Sequence, residues 1–241
     1  MRNVLVSGGT RGVGLAVARK LAGDGFAVFA IGRKESDALK AAIAEAPAGR
    51  LSFVPFDLLN VDAIPELIRE MKAEHGPFYG LVNNAALGTE GLLSNMHNSD
   101  IEKLVRLNTV SPIILTKYIV RSMMTAGTGR IVNISSIIGF TGYNGLSVYG
   151  ATKASMQGFT RSLAREVGRL GVTVNAVAPG FMETEMTESM TAAQRDKIAA
   201  RAALKRLVDV EDVANAVSFL MSDAARNITG TVMTVDAGNT A

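Results

Sequence analysis

A tyrosine and a lysine four residues apart are the first candidates for chemistry. Tyr149 and Lys153 lie in "SVYGATKAS", inside residues 147–170, whose pattern predicts a helix. This spacing puts both side chains on one helix face, about one turn apart. A nearby ammonium favours the phenolate, so the pair could let a phenol with an ordinary pKa of about 10 act as an acid and a base at neutral pH. By itself the spacing is common on helix surfaces, where plain packing is the more ordinary interpretation.

A glycine-rich turn near the amino terminus could bind phosphate. The stretch "SGGTRGVG", residues 7–14, follows an apolar run and opens a helical pattern. Gly8, Gly12 and Gly14 would allow a tight turn, close approach to a pyrophosphate and close packing of helix on strand. The helix N-terminus would add free N–H groups and a positive dipole end. Because the spacing differs from the standard G-x-G-x-x-G, the dinucleotide interpretation depends mainly on the position of the turn between strand and helix.

The residues after the second apolar run indicate which dinucleotide is bound. An NAD site would carry an acid there for the ribose 2′-hydroxyl. This chain instead has Arg33 and Lys34, with Glu35 as the first acid, and Arg11 lies in the glycine turn. Guanidinium groups pair well with phosphate, so the sequence predicts NADP(H). The alternative is that Arg33 and Lys34 are a solvated strand end.

Short apolar runs alternate with helical patterns along the whole chain. The runs are nearly continuous in Val, Ile, Leu and Ala, which is typical of parallel strands buried on both faces. Ser99 and Glu102 have capping-box spacing and predict the start of one helix. The alternation predicts an α/β, single-domain, Rossmann-like doubly wound fold over residues 1–241, with a seven-stranded parallel sheet and helices on both faces. The predicted strands are 3–9, 27–32, 51–57, 80–85, 130–136, 172–180 and 231–236, and the predicted helices are 12–23, 36–46, 61–74, 100–125, 147–170 and 211–221.

Composition excludes several classes of function. The 241 residues include no cysteine, which rules out disulfides, thiolate metal sites and cysteine nucleophiles. With no signal-peptide pattern and no apolar stretch of about 20 residues, we expect a cytoplasmic protein without a membrane partner. The net charge is only +3 and the basic residues are scattered, which argues against nucleic acid. His75 and His97 stand apart, and no cluster has metal-ligand spacing, so no metal is predicted.

Six motifs in register resemble the short-chain dehydrogenase/reductase family. They are the turn at 7–14, "NNAA" (83–86), Asn108, "NISS" (133–136), "YGATK" (149–153) and "APGF" (178–181). The resemblance covers essentially the whole chain and, across 162–187, is strongest to 3-oxoacyl-[acyl-carrier-protein] reductases. It implies NADPH-dependent reduction of a ketone to a secondary alcohol, with a 3-oxoacyl thioester of acyl-carrier protein or CoA as the expected substrate.

Two other functions remain open at this stage. One is a reductase or dehydrogenase for another small ketone or secondary alcohol, because this fold serves many substrates. The other is a non-catalytic nucleotide-sensing module, which would have no need of an intact acid/base set. The helix end "TAGTGR" offers only Arg130, where the carrier-protein reductases tend to have more basic residues, and this weakens the expectation of a carrier-protein partner.

The resemblance also assigns roles to individual residues. It implies that Tyr149 is the general acid/base, that Lys153 assists it and binds the nicotinamide ribose, that Ser136 binds the substrate carbonyl, and that Asn108 anchors a relay water. Ser135 should point to the opposite side of the strand. Asp57 is expected at the adenine amine, Thr184 at the carboxamide region, and Ala86 replaces a usual glycine near the ribose. The full expected cofactor set is Gly8, Thr10, Arg11, Gly12, Val13, Gly14, Arg33, Asp57, Leu58, Asn84, Ala85, Tyr149, Lys153, Pro179, Gly180 and Thr184.

Two further expectations concern the substrate side and assembly. Met182, Met186 and Met190 would form an apolar stripe if their segment were helical, either as ordinary packing or as part of a lid around 181–205 that closes over an acyl chain. The helices at 100–125 and 147–170 carry apolar residues on more than one face. By resemblance they should pair between copies in a homotetramer.

Overall fold

The computed structural model describes residues 1–47, 49–88, 91–182 and 191–241, and it contains the predicted seven-stranded parallel sheet. Every neighbouring pair of strands runs parallel, in the order β3-β2-β1-β4-β5-β6-β7. The predicted fold class is therefore confirmed, and each predicted apolar run contains most of a strand. The strands are β1 Asn3–Ser7, β2 Ala27–Gly32, β3 Leu51–Pro55, β4 Phe78–Asn83, β5 Gly129–Ile134, β6 Val172–Pro179 and β7 Val232–Val235.

Helices cover both faces of this sheet. Side chains from α1 and α8 pack on one face, and side chains from α3, α5 and α6 pack on the other. In the described part of the chain, no helix is both long and apolar enough to cross a membrane. The α-helices are α1 Gly12–Gly23, α2 Asp37–Glu45, α3 Ile64–His75, α4 Asn98–Val105, α5 Ser111–Ala126, α6 Ser147–Val167, α7 Ala192–Ala199 and α8 Val210–Met221.

Two helices differ from the prediction. The predicted helix at 100–125 is α4 and α5 joined by one π turn, Arg106–Val110. The predicted list of helices lacked α7, in which Ile198 is the buried residue, so its sequence has almost no apolar period. A capping box of Thr191 and Gln194 starts α7 instead.

The predicted capping box of Ser99 and Glu102 is wrong. The N-cap of α4 is His97, whose backbone is extended and whose carbonyl oxygen accepts the N–H groups of Asp100 and Ile101. The helix therefore begins at Asn98, and Ser99 lies inside its first turn, where its hydroxyl cannot act as the cap.

Arg130 was the one cation expected near the helix end before β5. It lies inside β5, as the predicted strand at 130–136 implies, and it is only 6% exposed. Its guanidinium donates to the Gly129 carbonyl at 2.9 Å and lies 5.6 Å from the ring centroid of Tyr79. Asp223, which pairs with Arg2, is 3.8 Å away. Arg130 therefore offers no surface charge to an acidic partner.

The order of the strands creates a crevice at one edge of the sheet. The chain leaves β1 towards β2 on one side, and it continues from β4 towards β5 on the other side. The connections after β1 and β4 therefore diverge at the carboxyl ends of these neighbouring strands. In open α/β sheets this is the position where ligands bind.

Candidate active site

The glycine turn forms the floor of this crevice. Gly8 and Gly12 have φ of 65° and 51°, values that side-chain-bearing residues rarely adopt. A Cβ at Gly14 would lie 2.1 Å from the Gly8 carbonyl oxygen, so only glycine lets α1 pack against the turn. A Cβ at Gly12 would meet nothing within 4 Å, so open space lies before the N-terminus of α1. The glycine backbone faces this open space at the N-terminus of α1, the positive end of the helix dipole, and this arrangement fits a pyrophosphate.

Hydrogen bonds join the ends of β1 and β4 beside this turn. The Ser7 hydroxyl donates to the Val82 carbonyl at 3.3 Å. The same oxygen accepts the N–H groups of Asn84 at 2.9 Å and Ala85 at 3.1 Å. The Asn84 amide donates to the carbonyls of Ser7 at 3.0 Å and Gly8 at 3.1 Å. Asn84 and Ala85 therefore lie next to the glycine turn.

The next residue is Ala86, which stands where the resemblance would have glycine, and a Cβ there would disfavour positive φ. Among described residues other than glycine, only Lys205 and Ala237 have positive φ. The backbone at Ala86 therefore suits alanine.

The ends of β2 and β3 place the expected adenine and ribose residues together at the same edge. Arg33 is exposed directly after β2. The Ser36 hydroxyl donates to the carbonyl of Thr10, which links this strand end to the glycine turn. Asp57 is exposed just beyond β3, and its carboxylate accepts the N–H of Leu59 at 3.0 Å, whereas Leu58 is buried.

Helix α6 carries the tyrosine and the lysine one turn apart, as predicted. Lys153 is 4% exposed, and its ammonium donates to the Ile134 carbonyl at 2.9 Å. The same nitrogen lies 5.6 Å from the ring centroid of Tyr149. Burial lowers the pKa of Lys153 to about 8. A lysine that only filled a helix surface would extend into water, and Lys153 does not.

The pKa of Tyr149 does not follow the prediction. Burial raises the pKa of this phenol, while a hydrogen bond with Ser136 acts in the opposite direction. From the sequence, the Lys153 ammonium is expected to lower the pKa of the Tyr149 phenol. In the chain alone, the loss of solvation for the phenolate outweighs the hydrogen bond with Ser136 and leaves the pKa raised.

The two serines after β5 point to different partners. Ser136 is almost buried, and its hydroxyl oxygen accepts the Ile138 N–H at 3.2 Å. The Ser135 hydroxyl instead donates to the Lys153 carbonyl at 2.9 Å. It also accepts a hydrogen bond from Gln157, a residue that the sequence analysis did not single out. The only available signal was that Gln157 continues the four-residue spacing of Tyr149 and Lys153.

Asn108 lies in the π turn and is 3% exposed. Its amide oxygen accepts the Leu87 N–H at 2.8 Å, and its amide nitrogen donates to the Leu87 carbonyl at 2.9 Å. The nitrogen also donates to the Thr152 hydroxyl at 3.2 Å. Because both amide donors are used within the protein, Asn108 fixes the loop after β4 against α6.

The end of β6 closes the crevice on the side opposite to β2. The Gly180 N–H donates to the Val235 carbonyl at 2.8 Å, and a Cβ on Gly180 would lie 2.8 Å from the Asp236 Cα. Pro179 is the last residue of β6, and Met182 pairs with Val208 in an isolated bridge. The expected residues Thr184, Met186 and Met190 lie outside the described residues.

Aromatic side chains are exposed in the loop that leads into α6, the helix that carries Tyr149. The loop between β5 and α6 carries Phe140, 49% exposed, and Tyr143, 44% exposed. The Tyr143 ring lies 5.4 Å from that of Phe181, which follows the Gly180 turn. Exposed aromatic rings at this position would suit an apolar substrate chain. In the described ranges, no three His, Cys, Asp or Glu side chains are close enough to hold a metal ion.

The comparisons with known proteins agree with this geometry. The family model described as Enoyl-(Acyl carrier protein) reductase matches residues 8–240, and the chain belongs to this family of short-chain dehydrogenase/reductases. The 3-oxoacyl-[acyl-carrier-protein] reductase FabG of Haemophilus influenzae is 39% identical over 234 residues, which are 97% of this chain and 96% of the relative.

Two solved structures share the fold and carry the same cofactor in their descriptions. ElxO with NADP bound has a TM-score of 0.92 and 29% identity, covering 99% of this chain and 98% of its own. A gluconate 5-dehydrogenase from Burkholderia cenocepacia, in complex with NADP and tartrate, has a TM-score of 0.93 and 28% identity, covering 99% of this chain and 95% of its own.

Proposed function

We propose that this chain is an NADPH-dependent oxidoreductase that reduces the ketone of a 3-oxoacyl thioester to a secondary alcohol. The observation that carries the proposal is the burial of the Lys153 ammonium beside the Tyr149 phenol. A buried charge is costly to maintain and is therefore uncommon without a purpose. In this proposal the chain is one domain, with a substrate lid around 181–205, and works as a homotetramer in the cytoplasm.

The cofactor is held along the carboxyl edge of the sheet. The turn from Gly8 to Gly14 binds the pyrophosphate, and Arg11 with Arg33 binds the 2′-phosphate. Asp57 and Leu58 lie at the adenine, and Asn84 and Ala85 lie at the adjacent ribose. NADPH, when bound, supplies the hydride. The remaining proposed contacts are Thr10, Val13, Pro179, Gly180 and Thr184.

The protein's own side chains bind the ketone oxygen and supply the proton that it gains. Ser136 and Tyr149 donate hydrogen bonds to the ketone oxygen, which polarises the carbonyl. As that oxygen gains negative charge, Tyr149 transfers its phenolic proton to it and becomes a phenolate. Because burial destabilises the phenolate, it needs the charge of Lys153, which is mostly present at neutral pH with a pKa of about 8. Asn108 holds the loop that borders these groups.

The substrate class follows from the apolar surroundings of Tyr149. The exposed rings of Phe140 and Tyr143, with the half-buried Phe181 beside Tyr143, suit an acyl chain better than a polyol such as gluconate. The FabG relative is named for acyl-carrier-protein substrates. Arg130, the one cation expected at the helix end before β5, is buried and therefore cannot attract an acidic carrier. Acetoacetyl-CoA is accordingly a sound first substrate to test.

The experiment is NADPH oxidation measured in single turnover with acetoacetyl-CoA, acetoacetyl-[acyl-carrier-protein] and a panel of simple ketones. Tyr149→Phe keeps the ring but removes the proton, so its rate should fall by about 10²–10⁴. NADPH binding, followed by fluorescence, should persist in this variant. Tyr118→Phe on α5 is the matched control and should retain native turnover. Near-native turnover in Tyr149→Phe, or a native protein that oxidises NADPH with none of these compounds, would refute the proposal.

A further inference from the structure

We infer that Gln157 is a positioning residue that fixes Ser136 opposite Tyr149, an inference that rests on the proposed function. Gln157 lies two turns after Tyr149 on the same face of α6 and is only 5% exposed. Its amide nitrogen donates to the Ser135 hydroxyl at 3.0 Å. The same nitrogen reaches the Ser136 carbonyl at 3.4 Å. Gln157 thus contacts the segment that carries the substrate-binding hydroxyl.

Three consecutive residues at the end of β5 are each attached to α6. The Lys153 ammonium donates to the Ile134 carbonyl at 2.9 Å. The Ser135 hydroxyl donates to the Lys153 carbonyl, also at 2.9 Å. Gln157 completes the set through Ser135 and Ser136. Because Tyr149 belongs to the same helix, these bonds set the position of the Ser136 hydroxyl relative to the phenol.

The Gln157 amide also supports the turn that follows Ser136. A Cβ at Gly139 would lie 2.6 Å from the Gln157 amide nitrogen, so the amide packs directly under the short helix Ile137–Gly139. At the start of that turn, the Ile138 N–H donates a hydrogen bond to the Ser136 hydroxyl oxygen. A shift of the amide would therefore move the backbone on both sides of Ser136.

Packing alone does not require an amide at this position. Burying an amide is unfavourable unless it is hydrogen-bonded, whereas a methionine of similar length would fill the same volume without that cost. The amide therefore contributes orientation through its hydrogen bonds. Catalysis is sensitive to such orientation, because a displacement of about 1 Å can lower a rate by about 100-fold.

The test combines Gln157→Met with Ser136→Ala in a double-mutant cycle. In the native background, Gln157→Met should lower kcat with acetoacetyl-CoA by about 10- to 100-fold. NADPH affinity should stay within about twofold, since Gln157 donates to Ser135 and Ser136, neither of which is a proposed cofactor contact. In the Ser136→Ala background the same substitution should change kcat by no more than about twofold, because the group that it positions is already absent.

Thr160→Val is the matched control. Thr160 lies one turn further along α6, is fully buried and accepts a hydrogen bond from Asn133 at 2.8 Å. Its loss should lower the urea midpoint of unfolding and leave kcat within about twofold of native. A general loosening of α6 would lower kcat in this variant as well, and that outcome would overturn the inference.

Four other results are informative. The inference would also be overturned if Gln157→Met kept the native kcat. It would be overturned as well if adding Gln157→Met to Ser136→Ala lowered kcat as much as it does in the native background. Either result would leave the proposed function intact. If Gln157→Met does not fold, Ser135→Ala removes the acceptor of the same bond and should show the same dependence on Ser136. A native protein without turnover would instead refute the proposed function, and this inference with it.

Discussion

Replacing Lys153 by methionine should make the protein more stable while it removes activity. The ammonium is buried, and its pKa falls from an ordinary 10.5 to about 8. One pKa unit corresponds to about 1.4 kcal/mol, so at pH 7 this displacement costs the native state about 3 kcal/mol. Methionine removes that cost but also loses the hydrogen bond to the Ile134 carbonyl, worth about 1 kcal/mol. The variant should therefore gain about 2 kcal/mol in the free energy of unfolding.

The dependence of this gain on pH identifies its cause. The folded state binds the Lys153 proton less tightly than the unfolded state does, so the native protein carries the full penalty below pH 8. The penalty declines as pH rises from 8 towards 10.5 and disappears above that pH, where the lysine is neutral in both states. The advantage of Lys153→Met should therefore shrink over this window and reverse near its upper end.

Urea unfolding of both proteins without cofactor, at equal protomer concentration, measures this difference at pH 7 and again at about pH 10. Lys103→Met, at an exposed position on α4, is the control and should change stability by no more than about 0.5 kcal/mol. Two results would show that burial of the charge is not what destabilises the native state. One is a Lys153→Met variant that is less stable than the native protein at pH 7, and the other is a gain in stability that does not depend on pH.

Two further predictions concern the cofactor and the assembly. Arg33→Asp should lower or invert the preference for NADPH over NADH in kcat/KM, because a carboxylate repels the 2′-phosphate and can accept a hydrogen bond from a 2′-hydroxyl. Equal kcat/KM with both cofactors in the native protein would contradict the assignment of Arg33. Light scattering should give a particle of about four times 25.4 kDa, because the outer faces of α4 and α5 expose Val105 and Ile113. Particles of a single chain's mass at working concentration would refute the tetramer.

The strands were predictable because burial on both faces leaves a direct mark in the sequence. A strand such as β6 lies between two helical layers, so nearly every position must be apolar or hydrogen-bonded inside the sheet. The glycine turn and the "YGATK" segment were predictable for a different reason. Their chemistry depends on residue types at fixed short spacings, and such spacings survive in the sequence.

Other features depend on residues that are distant in the chain. Nothing near Arg130 reveals that it is buried, because its partners Tyr79 and Asp223 come from other strands and loops. The spacing of Gln157 places it on the face of Tyr149, but only the fold shows that this face meets Ser135. The spacing of Thr191 and Gln194 is a local signal for the start of α7. The helix was nevertheless not predicted, because its segment lacks the apolar period that normally indicates a helix.

The strand order also has a consequence for how the chain is made. The interior strand β1 is synthesised first, and it pairs with β2 and β4, so both of its neighbours exist once Asn83 has been added. Half of the sheet, including the glycine turn, can therefore assemble before either Tyr149 or Lys153 leaves the ribosome. Parallel pairing over such distances is slow, because long loops must close first. The catalytic helix α6 should accordingly dock onto a glycine turn and neighbouring strands that are already in place.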